Sequence, residues 1–242
     1  MRVLLISGHG AGDPGATAEN GGKRYREADE TRRVTAAIRK ALAAWGDAAV
    51  YPTDRNAFAD YQKGTLRSTA RFEAYDFVLE IHFNALKASA ADGKTKGVEC
   101  YVPTEAKDTA IAQRLCREIA ACGLTNRGVR RKNWSVIHTA CRAGTPAALL
   151  EVCFLDDADD MAVYEREFPR IIRAMARALG ADEEVENLTV YETLADVPAW
   201  GRPTVEKLLE KGWLRGDGDT LDLEHNMLRT LVVNDRAGLY GQ

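Results

Sequence analysis

This 242-residue chain has no apolar run long enough to cross a membrane as a helix, which excludes a helical membrane protein. It also lacks a cysteine framework. Its five cysteines (100, 116, 122, 141 and 153) are odd in number and form no CxxC pair, so buried thiols are expected rather than disulfides. No charge dominates. The net charge of −3 gives no ground for wholesale nucleic-acid binding. The start, MRVLLISGHGAGDPG, carries one arginine and too few apolar residues for a secretory leader. The expectation is a protein made in the cytoplasm that stays there until something releases it. Histidine is scarce as well, with four in all (9, 82, 138 and 225), so each is a marked position.

What is present describes a soluble globular protein, 45% hydrophobic and 29% charged. The length allows one large domain, or an ordinary domain with a small companion. Charge favours the second. Residues 183–242 hold 12 acidic and 6 basic residues, whereas residues 1–182 hold 24 and 27. The polar EEVEN (183–187) opens an expected linker over 183–189. The expected domains are therefore 1–182 and a small helical module over 190–242.

Short apolar runs alternate with helical patterns throughout the first part. MRVLLISG (1–8), AAVYPT (48–53), DFVLEIHFNA (76–85), GVECYV (97–102), SVIHTA (135–140) and AALLEVCFL (147–155) read as strands. Residues 27–45, 60–74, 106–122 and 156–181 read as helices, the first ending before Gly46 and the last kinked or divided at Pro169. GHGAGDPGATAENGG (8–22) reads as a loop, and RGVRRK (127–132) as a solvated basic loop. The pattern predicts an α/β fold, a mainly parallel twisted sheet flanked by helices. In the C-terminal module, helices are expected over 202–211 and 224–236, joined by a Gly/Asp turn.

Two segments place polar groups where core is expected. In DFVLEIHFNA, Glu80, His82 and Asn84 share one face of the strand, opposite Phe77, Leu79, Ile81 and Phe83. In ALLEVCFL (148–155), Glu151 is the one charge among seven apolar residues. A buried carboxylate needs a partner, a metal or a proton; Arg142 is one candidate partner. His9 follows the first strand, and Glu27 opens the first long helix. Two histidines and a carboxylate match the ligand set of catalytic zinc sites, with Glu151 left over as a proton-transferring acid/base. Each residue also has a plainer role: a hydrogen-bonded structural histidine, or an acid favoured by a helix N-terminus. His138 reads as structural and His225 as surface.

Taken together, GHGAGDPGA (8–16), YREADETRRVTAAIRKAL (25–42), EIHFNA (80–85), GVECYV (97–102) and NRGVRRKN…VIHTACRAGTPAALLEVCFLDDADDM (126–161) resemble the ordered motifs of zinc-dependent N-acetylmuramoyl-L-alanine amidases of the type 3 family. The resemblance covers about residues 1–178. It implies one Zn2+ held by His9, Glu27 and His82, with Glu151 as the catalytic carboxylate. Glu80 stands where the family usually has serine; it is a candidate ligand orienter, a surface residue or an extra acid. Asn84 and Arg142 are candidates for contacts to the site or the substrate. Residues 191–240 resemble the SLH-like helical repeat of wall-lytic amidases, implying a cell-wall-binding or homo-oligomerising module.

The implied activity is hydrolysis of the amide between N-acetylmuramic acid and L-Ala in bacterial peptidoglycan, with no nucleic-acid partner and no membrane insertion. Without a leader, such an enzyme resembles a phage endolysin released through a holin-type pore. The rival readings are a zinc peptidase acting on another bond, an inactive wall-binding protein, and an enzyme acting on a non-wall amide inside the cell.

Overall fold

The computed structural model describes residues 1–43, 48–86, 91–181, 190–215 and 220–241. The chain divides into two compact units, Met1–Asp182 and Glu183–Gln242. The proposed linker (183–189), Trp45 with the helix stop at Gly46, and the Gly/Asp turn at 216–219 lie outside the described residues.

The first unit is built on one six-stranded sheet. Its strands are β1 (Val3–Ser7), β4 (Ala48–Val50), β5 (Phe77–Asn84), β6 (Val98–Val102), β7 (Asn126–Arg131) and β8 (Ala147–Phe154), in the order β4-β1-β5-β8-β6-β7. Every neighbouring pair is parallel except β6 and β8, which run antiparallel. This is the mainly parallel α/β sheet that the alternation of strand and helix patterns predicts. β1 is buried along its whole length, and Leu5, Ile6, Leu79, Ile81 and Leu150 are fully enclosed, as expected for a sheet covered on both faces.

Helices close those faces. α1 (Glu27–Leu42) buries Val34, Ile38, Ala41 and Leu42 at helical spacing, and its acidic first turn and basic last turn suit the helix dipole. α4 (Ala110–Ala120) and α6 (Ala158–Ala178) bury similar stripes. The Asp157 side chain caps α6 by accepting from the Asp160 N–H. Pro169 does not divide α6. It lies on the exposed side, where the lost hydrogen bond leaves a carbonyl to water.

Four expectations are corrected. SVIHTA is not a strand but the body of α5 (Ser135–Arg142), which buries Val136, Ile137 and Ala140 on one helical face. Three β-branched residues, Val136, Ile137 and Thr139, favour a strand by propensity, but so short a window does not settle the period. RGVRRK is not a solvated loop: it lies largely in edge strand β7. The glycine-rich segment 8–22 is not all loop, because β2 (Thr17–Asn20) pairs antiparallel with β3 (Lys23–Arg26). Residues 60–74 are two short helices, α2 (Ala57–Gln62) and α3 (Leu66–Ala70), followed by a 3-10 turn.

The second unit has its own small core of Tyr191, Val197, Val205, Leu221, Leu223, Leu228 and Val232. A two-stranded ribbon of β9 (Val190–Tyr191) and β10 (Leu223–Glu224) is joined by α7 (Arg202–Glu210) and α8 (His225–Arg236). His225 is not a free surface group: its Nδ1 lies 2.7 Å from the Tyr191 hydroxyl. Among the described residues, no helix is long and apolar enough to cross a membrane.

Candidate metal centre and its flanking carboxylates

The parallel pairing of β1 with β5 brings residues far apart in sequence to one end of the sheet. Gly8, just past β1, donates its N–H to the Ile81 carbonyl at 2.9 Å. It must be glycine, since a Cβ there would stand 2.4–2.7 Å from the His82 ring. His9 follows with φ of 60°, a left-handed conformation that is costly for a residue with a side chain. The paired backbone bonds between Gly10 and Asp13 hold that turn. Arg32 ties it to α1, donating to the carbonyls of His9 and Ala28.

His9, Glu27 and His82 converge, each offering one ligand atom within 4.8 Å of the others. His9 Nε2 lies 3.1 Å from Glu27 Oε2, and His82 Nδ1 lies 2.9 Å from Glu27 Oε1. Glu27 is fixed from behind, where its two oxygens accept the backbone N–H groups of Ala16 and Phe83. Asp13 fixes His9. An ionised carboxylate can only accept, so at 2.8 Å it takes the Nδ1–H and turns Nε2 toward Glu27. Asn56 donates to the same Asp13 oxygen.

The electrostatics match a cation site. Burial works against charge on Glu27, yet the hydrogen bonds from His82 and His9 win and hold its carboxyl far below the usual range. Burial also opposes protonation of both histidines, but Glu27 outweighs it and raises His9, and Glu27 with Glu80 raise His82 well above its ordinary value. The cluster therefore holds positive charge between carboxylates, and a divalent cation can replace those protons. Two imidazoles and a carboxylate suit zinc in donor type.

Two further carboxylates face this centre. Glu151 sits beside His82 in the register of β5 and β8, and its Oε2 is buried with no hydrogen-bond partner. Burial pushes its carboxyl up to about 7; the His82 charge opposes this, and Glu27, Glu99 and Glu80 add to it. Glu80 is 5% exposed. Its Oε1 lies 3.3 Å from His82 Nε2, and its Oε2 is buried without a partner. His82 thus lies between Glu27 and Glu80 through its two ring nitrogens. Glu80 is not a surface residue.

A cavity of about 350 Å³ opens over these groups, and Phe58, Asn84 and Trp134 also line it. Arg142 does not. It is exposed in the last turn of α5, where its charge acts on Glu105, and it is no partner for Glu151. His138, also on α5, lies 3.0 Å from Glu105.

A network around Glu99 was not anticipated from the sequence. Glu99, 2% exposed, faces Glu151 across β6 and β8. Its Oε1 accepts from Asn84 Nδ2 at 2.6 Å and from the Tyr101 hydroxyl, and its Oε2 from Arg127 Nε and Arg130 Nε at 3.0 and 2.8 Å. GVECYV offered the same clue as ALLEVCFL, a lone charge in an apolar strand.

A family model described as N-acetylmuramoyl-L-alanine amidase matches residues 3–181, a span that contains all of these groups. The chain belongs to the N-acetylmuramoyl-L-alanine amidase family. Solved structures agree on the fold. The catalytic domain of the amidase CwlV from Bacillus (Paenibacillus) polymyxa var. colistinus is 25% identical, with a TM-score of 0.58 over 74% of this chain and 96% of that one. An N-acetylmuramoyl-L-alanine amidase from Clostridium difficile 630 is 20% identical, with a TM-score of 0.59 over 74% and 94%. The catalytic domain of CD27L, an endolysin targeting Clostridia difficile, is 18% identical, with a TM-score of 0.57 over 74% and 96%. No curated protein matches the chain. Amidase activity on peptidoglycan is the family's property, and the second unit lies outside the matched span.

Proposed function

We propose that this chain is a zinc-dependent amidase that cleaves the bond between the lactyl carbonyl of N-acetylmuramic acid and the L-Ala nitrogen of the stem peptide. One observation carries the proposal: His9, Glu27 and His82 converge beside a buried carboxylate, Glu151, that keeps an unpartnered oxygen. Family membership supports the choice of bond. The donor set and the partnerless oxygens of Glu80 and Glu151 fit a bound cation.

When bound at His9, Glu27 and His82, zinc supplies Lewis acidity toward water and the amide carbonyl. Asp13 and Glu80 hold the two imidazoles in orientation. Glu151 takes a proton from water as its oxygen bonds to the carbonyl carbon. It then gives that proton to the amine as the C–N bond breaks. In the metal-free pocket burial raises this carboxyl to about 7; beside a bound dication the ionised form is favoured, the proton acceptor that the first half of the cycle needs.

The role we attach to this activity is that of a phage or prophage endolysin, reaching the wall through a holin-type pore; the likeness to an endolysin catalytic domain supports it at the level of fold. The second unit is assigned wall binding or self-association. Its exposed Trp200, Trp213, Met227, Val233 and Leu239 supply apolar surface for either.

The test is zinc content together with product analysis. About one zinc per chain is expected, with new L-Ala amino termini released from purified peptidoglycan and lost on chelation. A metal-free chain that releases no such termini would overturn the amidase assignment.

A further inference from the structure

The cavity is rich in acid. Asp13, Glu27, Glu80 and Glu151 all line it, so a substrate that carries carboxylates must place them elsewhere. The stem peptide is such a substrate in the amidase reading, on which this inference rests.

The sheet provides the place. Across the face that bears the centre, His82 on β5 is followed by Glu151 on β8 and then Glu99 on β6. On β7, Arg130 is the register partner of Tyr101, whose hydroxyl also donates to Glu99. Glu99 therefore links Asn84, which lines the cavity, to Arg130 at the edge strand.

Two features make Arg130 more than a structural partner. Glu99 supplies one negative charge to two guanidinium groups, so the cluster keeps a net positive charge. Arg130 meets Glu99 through Nε alone and its side chain is 52% exposed. Its Nη atoms have no protein partner among the described residues. A guanidinium pinned at Nε has lost much of its rotamer freedom while keeping a planar pair of donors for a carboxylate. Arg127 is 30% exposed at its side chain and packs over Phe154, Arg131 is spent on the carbonyls of Thr104 and Ala106, and Lys132 lies over the Trp134 ring as a point charge, which leaves Arg130 as the guanidinium with open Nη donors.

We propose that Arg130, anchored by Glu99, is a subsite for a carboxylate of the stem peptide. Neighbouring strands are about 4.8 Å apart, which places β7 about 10 Å from β8. An extended peptide covers about 3.4 Å per residue, so the subsite meets the second or third stem residue. Phe58, exposed on α2, and Trp134 also line the cavity and offer aromatic surface that suits the sugar.

The test uses the full-length zinc-loaded chain and two synthetic muramyl tripeptides, L-Ala–D-Glu–meso-diaminopimelate with the carboxyls of residues two and three either free or amidated. The wild type should favour the free form through KM, by about tenfold. Arg130→Gln should raise KM for the free form to that of the amidated form, a much larger change than either kcat or the amidated substrate shows. Arg130→Lys should restore part of the preference. Equal KM values for the two substrates in the wild type would overturn this inference alone, as would an equal loss on both in Arg130→Gln. Failure of the wild type to cleave either substrate would overturn the amidase reading, and this inference with it.

Discussion

Glu99 and Glu151 face each other on adjacent strands of one sheet, and their surroundings could hardly differ more. Around Glu99, two arginines, an asparagine and a tyrosine occupy both oxygens. Burial resists its charge, but the Arg127 bond and charge hold its carboxyl below the usual value. Around Glu151, one oxygen has no partner, and burial holds its carboxyl up at about 7. Depth in the fold does not decide what a buried acid does; its partners do. A satisfied carboxylate braces the sheet, and an unsatisfied one remains available for proton transfer.

Substitutions can break this contrast at several points. The largest effect is expected at Glu151→Gln, which should keep zinc but lower kcat about 10²–10⁴-fold; steady-state turnover with retained zinc content checks it, and near wild-type lysis would refute the role. Next comes Glu99→Ala. Losing the shared anion should cost about 2–4 kcal/mol after discounting the half-exposed arginines, measured by urea unfolding.

The same two acids should show opposite pH slopes. Glu99, depressed in the fold, stabilises it above the unfolded carboxylate pKa, and that stability is lost as pH falls through the folded value. Glu151, raised from 4.5 to about 7, works the other way. In the metal-stripped chain its presence lowers stability as pH rises through that interval. Glu151→Gln should therefore stabilise the stripped chain at pH 8, by no more than about 3 kcal/mol, and have little effect at pH 4. Thermal unfolding at the two pH values tests the sign.

The smallest expected effect sharpens the comparison with a third acid. Glu80→Ser removes a carboxylate from His82 Nε2 and should weaken zinc binding by about 10–100-fold. Competition with a chelator measures this directly, and unchanged affinity would remove Glu80 from the support of His82.

The sequence made the centre legible where periodicity and polarity disagree. His82 on the polar face of β5 and Glu151 in an apolar run both stand out, and the structure brings them side by side with His9 and Glu27. Glu99 carries the same sign, but its arginine partners lie 28 and 31 residues away and no local pattern announces them. For the same reason RGVRRK looked like a solvated loop, since an edge strand that pairs its charges with a buried acid has almost no apolar pattern. SVIHTA shows the limit of short windows: its β-branched residues suggest a strand, while Val136, Ile137 and Ala140 are spaced as one helical face. Arg142 is near Glu151 only in sequence; in the last turn of α5 it is exposed and outside the cavity.

The position of β5 between β1 and β8 has a consequence for biosynthesis. His9, Glu27 and His82 leave the ribosome about 70 residues before Glu151, so a growing chain owns a full ligand set while β5 still lacks one neighbour. During that interval β5 is an apolar edge open to other nascent chains. A cation captured early at His9, Glu27 and His82 would tie β1, α1 and β5 together before β8 arrives, acting as a chaperone. Translation in zinc-depleted extract should then yield more aggregate than translation followed by zinc removal, and equal yields would exclude this protective role.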